Sequence, residues 1–466
     1  MIWVKNFTEF LHLISQHDVT AYEVMNASNS KDAQKSFLSY NAKEPNFEYN
    51  GPKNLPIETL RSNLQSLEQI ANNIERDHTL TPIESQLLKI TLKHACDENQ
   101  LAIAAYDYRH SVYMSEANLA AMRFRLNNLE LFGDKAQADG IAIDYDVFLA
   151  MVKWYMQRIP ADALRISDRV LYDKLTERLS SIGWEDAPSD AIFQPQPHVM
   201  QQFGELVEKY FANIFSHIPD NEIFSPQEVC NLINEILNTE FKGETKFQAQ
   251  LDTTRRAIYV DQKDRIIYIP LQRSLGPYTH KTVKNIVIGH ELCTHAYRGI
   301  PYEMSNITPL AEGVVGYGNF DEGLAKCVEQ SLAKTYVPSG FGHYINLALI
   351  EYENLTFREA YDVCFALEFL SGTKVGETEE EYQKRFQATQ SLAFERIRRA
   401  TRGTNRLPLF KDLTYYNGNV MVWQYIRAHL DQPEQLMINL FESGKTDITN
   451  PMHYELVQMF KHNSSN

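Results

Sequence analysis

The sequence predicts a mainly helical α+β fold: a helical N-terminal region, then a small antiparallel sheet, then helices again. Three changes of pattern predict it. Through residues 31–240 apolar side chains recur at helical spacing, as at Ile57, Leu60, Leu64, Leu67, Ile70 and Ile74, which gives a helix one face to bury. After Lys246 the repeat shortens to alternation, the two-residue period of a strand. After Glu322 the helical pattern returns.

Taken in order, residues 1–30 read as a separate arm, because Ser30–Gly51 behind them is polar and loop-like. Residues 31–240 form the helical region and 241–466 the region that carries the chemistry. Thr81-Pro82-Ile83-Glu84 is a capping box with proline at the first helical position, and Ser225-Pro226-Gln227-Glu228 repeats it. In both, the hydroxyl accepts a free N–H of the first turn and the glutamate reaches back. Ser180–Pro197, dense in Ser, Pro and Asp, reads as a connection between helical layers. Phe247–Leu251 alternates, and Ala257–Val260 and Arg265–Ile269 flank the polar turn Asp261–Asp264 as a hairpin would. An edge strand there would either pair with an extended peptide or merely cover the next helix. Thr356-Phe357-Arg358-Glu359 is a third capping box, leading into Ala360–Leu370.

The chemistry lies between hairpin and last helices. The apolar run Val283–Ile288 leads into His290-Glu291-Leu292-Cys293-Thr294-His295, and Asp321-Glu322-Gly323-Leu324-Ala325 follows downstream. The histidines are five positions apart, not four. At about 100° per residue an α-helix sets such positions roughly 140° from each other, too far to share a ligand. One residue taken up as a π-bulge would return both to one face, and we place that bulge within Leu292–His295. The alternative is an ordinary helix whose histidines point different ways.

Ligand chemistry then assigns the roles. Zinc accepts neutral imidazole and carboxylate, and a catalytic site leaves its fourth position to water. His290, His295 and Glu322 would hold one Zn2+ per chain. Glu291, beside a ligand but unbound, would take the proton of the attacking water and return it to the leaving amine. Cys293 has the softness of a ligand but fits better as a small buried residue. Asp321 either orients a ligating histidine or caps the helix expected at Gly323–Lys334.

These two motifs resemble those of the tyrosine carboxypeptidase family of zinc metallopeptidases. Its animal members remove the C-terminal tyrosine of α-tubulin, and its bacterial members carry a Gln-Glu-Gly-Leu-Ala motif. The resemblance extends upstream to Glu44-Pro45-Asn46-Phe47-Glu48-Tyr49 and the amphipathic helix after it. Downstream it reaches Arg402-Gly403 and Phe410-Lys411-Asp412-Leu413-Thr414-Tyr415-Tyr416-Asn417-Gly418. It covers roughly residues 35–430, so that 31–430 would form one family-wide unit. Asp321 replaces the more usual Glu or Gln. The resemblance implies a zincin-like catalytic domain in which His290, His295 and Glu322 hold the zinc and Glu291 is catalytic. Arg402, Lys411 and Tyr415 fall where the family has substrate-binding basic and aromatic residues.

Physical chemistry supports an arginine there, because a guanidinium grips a free α-carboxylate bidentately. Arg396, Arg398, Arg399, Arg402 and Arg406 cluster in an acidic chain. As a cluster they read as a solvated helix face balancing Glu377, Glu379, Glu380 and Glu381, with Arg402 the first candidate for the cleft.

Whole-chain numbers narrow the class further. Net charge is −15, from 45 basic and 60 acidic residues, which argues against nucleic acid as main partner and against docking on an acidic polymer such as a tubulin tail unless the basic segment near residue 400 faces it. Five scattered cysteines, Cys96, Cys230, Cys293, Cys327 and Cys364, form no disulfide framework and suggest a reducing compartment. The segment Met1–Phe7 lacks the features of a cleavable leader, and no apolar run is long enough to span a bilayer. The expectation is a cytoplasmic, soluble enzyme without a membrane partner. A secretion address in the polar tail Lys461–Asn466 stays open. The reaction expected is removal of a C-terminal residue, aromatic in the family's case, from a protein or peptide. A zinc endopeptidase or amidase with the same centre, and a catalytically silent binding module, are the alternatives.

Overall fold

The computed structural model describes residues 5–40, 42–51, 53–132, 143–188, 190–273, 276–305 and 308–464. Met1–Val4, on which the leader reading partly rests, and the tail residues Ser465 and Asn466 lie outside them. Helix accounts for 66% of the structure and strand for 4%, the mainly helical fold with a small antiparallel element that the patterning predicts. The chain divides into two compact units, each built from separated stretches. Gln194–Ser339 and Thr414–Asn466 form a strand-bearing unit, Ile2–Phe193 and Gly340–Leu413 a helical unit.

In the strand-bearing unit, β1 (Ile223–Phe224), β2 (Gln248–Asp252), β3 (Tyr259–Asp261), β4 (Ile266–Pro270) and β5 (Tyr278–Thr279) make two sheets. β3 and β4 are the expected hairpin, antiparallel with Tyr259 opposite Tyr268 and Val260 opposite Ile267. Its turn closes locally, because the Asp261 carboxylate accepts the N–H groups of Lys263 and Asp264, the usual role of Asp in a turn. β2 joins the other edge of β4 in parallel, Gln248 opposite Ile266. The central strand is the one rich in isoleucine, with Ile267 and Ile269 fully buried. β1 and β5 pair antiparallel as a second sheet.

The chain then enters the helix that carries the histidines. The Thr279 hydroxyl accepts the Thr282 N–H and caps it. The helix Gly318–Ala333 packs on this segment, and also on the helices Pro197–Tyr210 and Thr414–His429. Val287, Ile288, Leu292, Phe320, Leu324, Val328 and Trp423 fill the interface, each contributing about 1.5–3 kcal/mol by leaving water. Gly323 of the Glu-Gly-Leu-Ala motif has a packing reason. A Cβ there would collide with the Gly418 carbonyl, and one on Gly418 would collide with the Asn319 carbonyl. Two backbones meet where neither has a side chain to hold them apart.

In the helical unit, Pro82–His110 packs against Ile57–Arg76 and Met114–Phe132. The stripe Ile57, Leu60, Leu67, Ile70 and Ile74 is buried as its spacing requires, with Leu64 at its margin. All three predicted capping boxes form, at Thr81, Ser225 and Thr356. One expectation is corrected. Ser30–Tyr40 is a helix, not a loop, because Ala33 and Phe37 share a face despite the polar composition. Phe37 anchors it among Phe357, Tyr361 and Phe394. No described helix is long and apolar enough to cross a membrane, and all five cysteines are free.

Candidate metal centre

The five-residue spacing of the histidines is resolved by the backbone. Val283–Ala296 is a π-helix of 14 residues, in which each turn closes five residues on. The Tyr297 N–H donates to the Leu292 carbonyl at 2.8 Å, and the Thr294 hydroxyl donates to the Gly289 carbonyl at 3.0 Å. His290 and His295 therefore stand one above the other, their Nε2 atoms 3.2 Å apart. The departure from α winding is not confined to Leu292–His295, where a single bulge is expected, but runs the length of the segment. Eleven of its 14 residues are buried, so the wide winding lies within packed structure for most of its length.

Protonation follows from the partners. His290 Nδ1 lies 3.2 Å from Glu329 Oε2 and His295 Nδ1 lies 2.6 Å from Asp321 Oδ2. Ionised carboxylates only accept, so each Nδ1 carries a hydrogen, and in the neutral ring each Nε2 presents a lone pair. Two such lone pairs facing each other at 3.2 Å repel unless a proton or a metal ion lies between them. Two nitrogens each about 2.05 Å from a tetrahedral zinc stand about 3.3 Å apart, so the spacing fits such an ion. Glu322 completes the group: donor atoms of His290, His295 and Glu322 all lie within 4.8 Å of one another. The imidazole side chains are only 10% and 12% exposed, which limits competition from solvent. The three residues form a largely buried group that could hold a metal, with the donor set of a catalytic zinc site.

Asp321 is not the helix cap, since it lies within the Gly318–Ala333 helix. Its carboxylate binds His295, accepts from Arg298 Nη1 at 2.6 Å and from Lys445 Nζ at 2.7 Å. Both cations are almost fully buried. Burial raises the Asp321 pKa, but Lys445, His295 and Arg298 outweigh it and hold the carboxyl well below its usual range. Burial pulls Lys445 down to about 8, with Asp321 opposing that and Arg298 adding to it. Glu329 is held at about 2, against burial, by His290 and Lys326. The hairpin also touches the site, as Gln262 Nε2 donates to the His295 carbonyl at 2.6 Å.

Glu291 is 9% exposed and stands outside the ligand group, next in sequence to His290. Its charge is felt by Arg273 and Tyr278. Cys293 is fully buried, and burial drives its thiol pKa well up, so it behaves as a small core residue. Tyr415 lies half-buried on the Thr414–His429 helix of the same unit. Arg402 and Lys411 belong to the helical unit. There Arg402 Nη1 donates to the Tyr22 carbonyl at 3.3 Å and Lys411 Nζ sits 4.4 Å from the Tyr22 ring centroid. The neighbouring arginines are committed to ion pairs, Arg396 with Glu368, Arg398 with Glu395 and Arg399 with Asp412, rather than to a solvated face.

Five residues at the site have no part in the sequence-based assignment. Glu329 had a usable signal, because Glu322, Lys326 and Glu329 recur on one helical face. Arg298, three residues past His295, had a weaker one. Lys445 and Arg273 had none, being distant in sequence. Tyr317 is the fifth: Lys445 Nζ lies 5.4 Å from its ring centroid. Burial, then the Asp321 and Glu322 carboxylates, push its hydroxyl pKa up against the pull of Arg298. It therefore keeps its proton as a donor. No protein-family model, no curated protein and no solved structure matches this chain.

Proposed function

We propose that the chain is a zinc-dependent metallopeptidase, a carboxypeptidase of the tyrosine carboxypeptidase kind that its motifs resemble. The observation that carries this reading is the convergence of His290 and His295 Nε2 at 3.2 Å with Glu322 close by and Glu291 adjacent. His290, His295 and Glu322 would hold the ion, which supplies Lewis-acid polarisation of the scissile carbonyl and of water. Glu291 accepts the proton of the attacking water and delivers it to the departing amine. Asp321 and Glu329 fix the tautomers of the two histidines, leaving Nε2 of each free to ligate. Tyr317, whose hydroxyl keeps its proton in the field of Asp321 and Glu322, would donate to the oxyanion that develops at the carbonyl.

The substrate is a protein or peptide with an accessible C-terminus. The chain's charge of −15 disfavours a strongly acidic tail. The test is elemental analysis of wild type and His295→Ala, followed by incubation with peptides that differ in their last residue. One zinc per wild-type chain, lost in the variant, with stepwise C-terminal trimming abolished by Glu291→Gln, is the expected result. Internal cleavage would make it an endopeptidase. Stoichiometric zinc without cleavage would leave a binding module, and absence of zinc after metal is offered back would overturn the reading.

A further inference from the structure

A carboxypeptidase must recognise the free carboxylate it leaves on the released residue. Arg402, the candidate from sequence, lies in the helical unit with its fork turned to the Tyr22 carbonyl. The strand-bearing unit has its own arginines, and most are matched. Arg255 pairs with Asp252, Arg265 with Glu312 and Arg298 with Asp321. Arg273 differs. Its Nη1 is buried without a hydrogen-bond partner among the described residues, as are Arg265 Nη1 and Arg298 Nε, but those two forks are held by carboxylates, whereas Arg273 has no ion pair among the described residues. A buried guanidinium nitrogen left unpaired is costly, and one whose charge reaches Glu291 and Glu329 points to a partner that arrives with the substrate.

Its position supports that reading. Arg273 lies between β4, whose hairpin touches His295, and β5, which leads into the π-helix. Its guanidinium carbon stands 5.3 Å from the Tyr278 ring centroid. Tyr278 is itself buried and anchored, its hydroxyl donating to the Pro270 carbonyl at 3.3 Å. The ring is thus a fixed platform for the guanidinium. Burial lowers the Arg273 pKa, while Tyr278, Glu291 and Glu329 act in the opposite direction. The cation is thus within electrostatic reach of the proposed general base and of the carboxylate that orients His290.

We propose that Arg273 binds the free α-carboxylate of the substrate's last residue, and so makes the enzyme an exopeptidase. Two parallel N–H···O contacts from a planar fork suit that group and reject an amide. The inference rests on the metallopeptidase reading, and deepens it by naming the group that sets where the chain is cut.

The test uses the zinc-loaded full-length protein carrying Glu291→Gln, to prevent turnover, with and without Arg273→Gln or Arg273→Lys. The probes are hippuryl-tyrosine and hippuryl-tyrosinamide, with binding measured by calorimetry and zinc content alongside. We expect the free acid to bind about 10- to 100-fold more tightly than the amide when Arg273 is present. Arg273→Gln should erase that difference with zinc retained, and Arg273→Lys should keep part of it. Persistence of the difference in Arg273→Gln, equal loss for both probes, or no difference at the outset would each overturn the proposal. Cleavage of the same probes by protein with Glu291 intact separates the two claims. Discrimination without cleavage keeps the carboxylate site and removes the hydrolase. Cleavage of acid and amide alike keeps the hydrolase and removes the role of Arg273.

Discussion

Lys445 Nζ lies 2.7 Å from Asp321 Oδ2, the same oxygen that His295 Nδ1 approaches at 2.6 Å. A buried lysine thus helps set the orientation of a metal-ligand candidate without belonging to the ligand group. Lys445→Met leaves Asp321 with Arg298 and His295 as partners. Removing one member of a buried ion pair costs on the order of 3–5 kcal/mol, and loosening an orienting carboxylate weakens metal binding roughly 10- to 100-fold. Chemical denaturation and a competitive chelator titration measure the two effects separately.

Glu291→Gln keeps the shape and removes the proposed base. Zinc stoichiometry should be unchanged, because Glu291 is outside the His290, His295 and Glu322 group. Turnover should fall by about 100- to 10,000-fold, the usual contribution of positioned proton transfer. Loss of zinc in this variant would instead make Glu291 a ligand.

Gly323→Ala adds one methyl where the helix backbone already meets the Gly418 carbonyl. Overpacking of this kind typically costs about 1–3 kcal/mol, and here the neighbour is backbone, which cannot rotate away. The midpoint of urea unfolding should drop with little change in slope, and zinc affinity should fall with it because Glu322 is the adjacent residue.

Glu98 in the helical unit gives a pH signature. Burial raises its pKa from 4.5 to about 7, with the Ala21 N–H opposing and Asp18 adding to the rise. Asp18 is itself raised to about 6 by burial, against the Val19 N–H. His94 Nε2 lies 3.5 Å from the other Glu98 oxygen. An acid whose folded pKa exceeds its unfolded one favours folding while protonated. Its stabilisation is present below pH 4.5 and is lost as pH rises to about 7, a change of roughly 3 kcal/mol at about 1.4 kcal/mol per unit. Glu98→Gln should flatten stability across this window, as thermal melts at several pH values would show.

Much of this was legible in the sequence because the signals are local. Capping boxes, the isoleucine-rich hairpin and the stripe from Ile57 to Ile74 declare themselves within a few residues, and the histidine spacing pointed to a local bulge if both rings were to share a ligand. The parallel pairing of β2 with β4 was not legible, because strand order is decided by which edge a chain reaches, not by its own pattern. Ser30–Tyr40 misled by composition, its helix resting on buried Ala33 and on Phe37, whose ring meets aromatic residues more than 300 positions away. The supports of His295 divide the same way: Asp321 sits beside Glu322, while Lys445 is brought in by the fold alone.

The π winding of Val283–Ala296 makes this site a thermodynamic gauge. An α-wound segment would carry His290 and His295 apart, so an ion that needs both is bound by one winding and not by the other. With zinc as the proposed ion, occupancy and helix register would be linked quantities: each tenfold of free zinc above its dissociation constant would add about 1.4 kcal/mol in favour of the wide helix. Stripping the metal should therefore register first as faster amide exchange along Leu292–Tyr297, before any global unfolding, and restoring it should slow those same amides again.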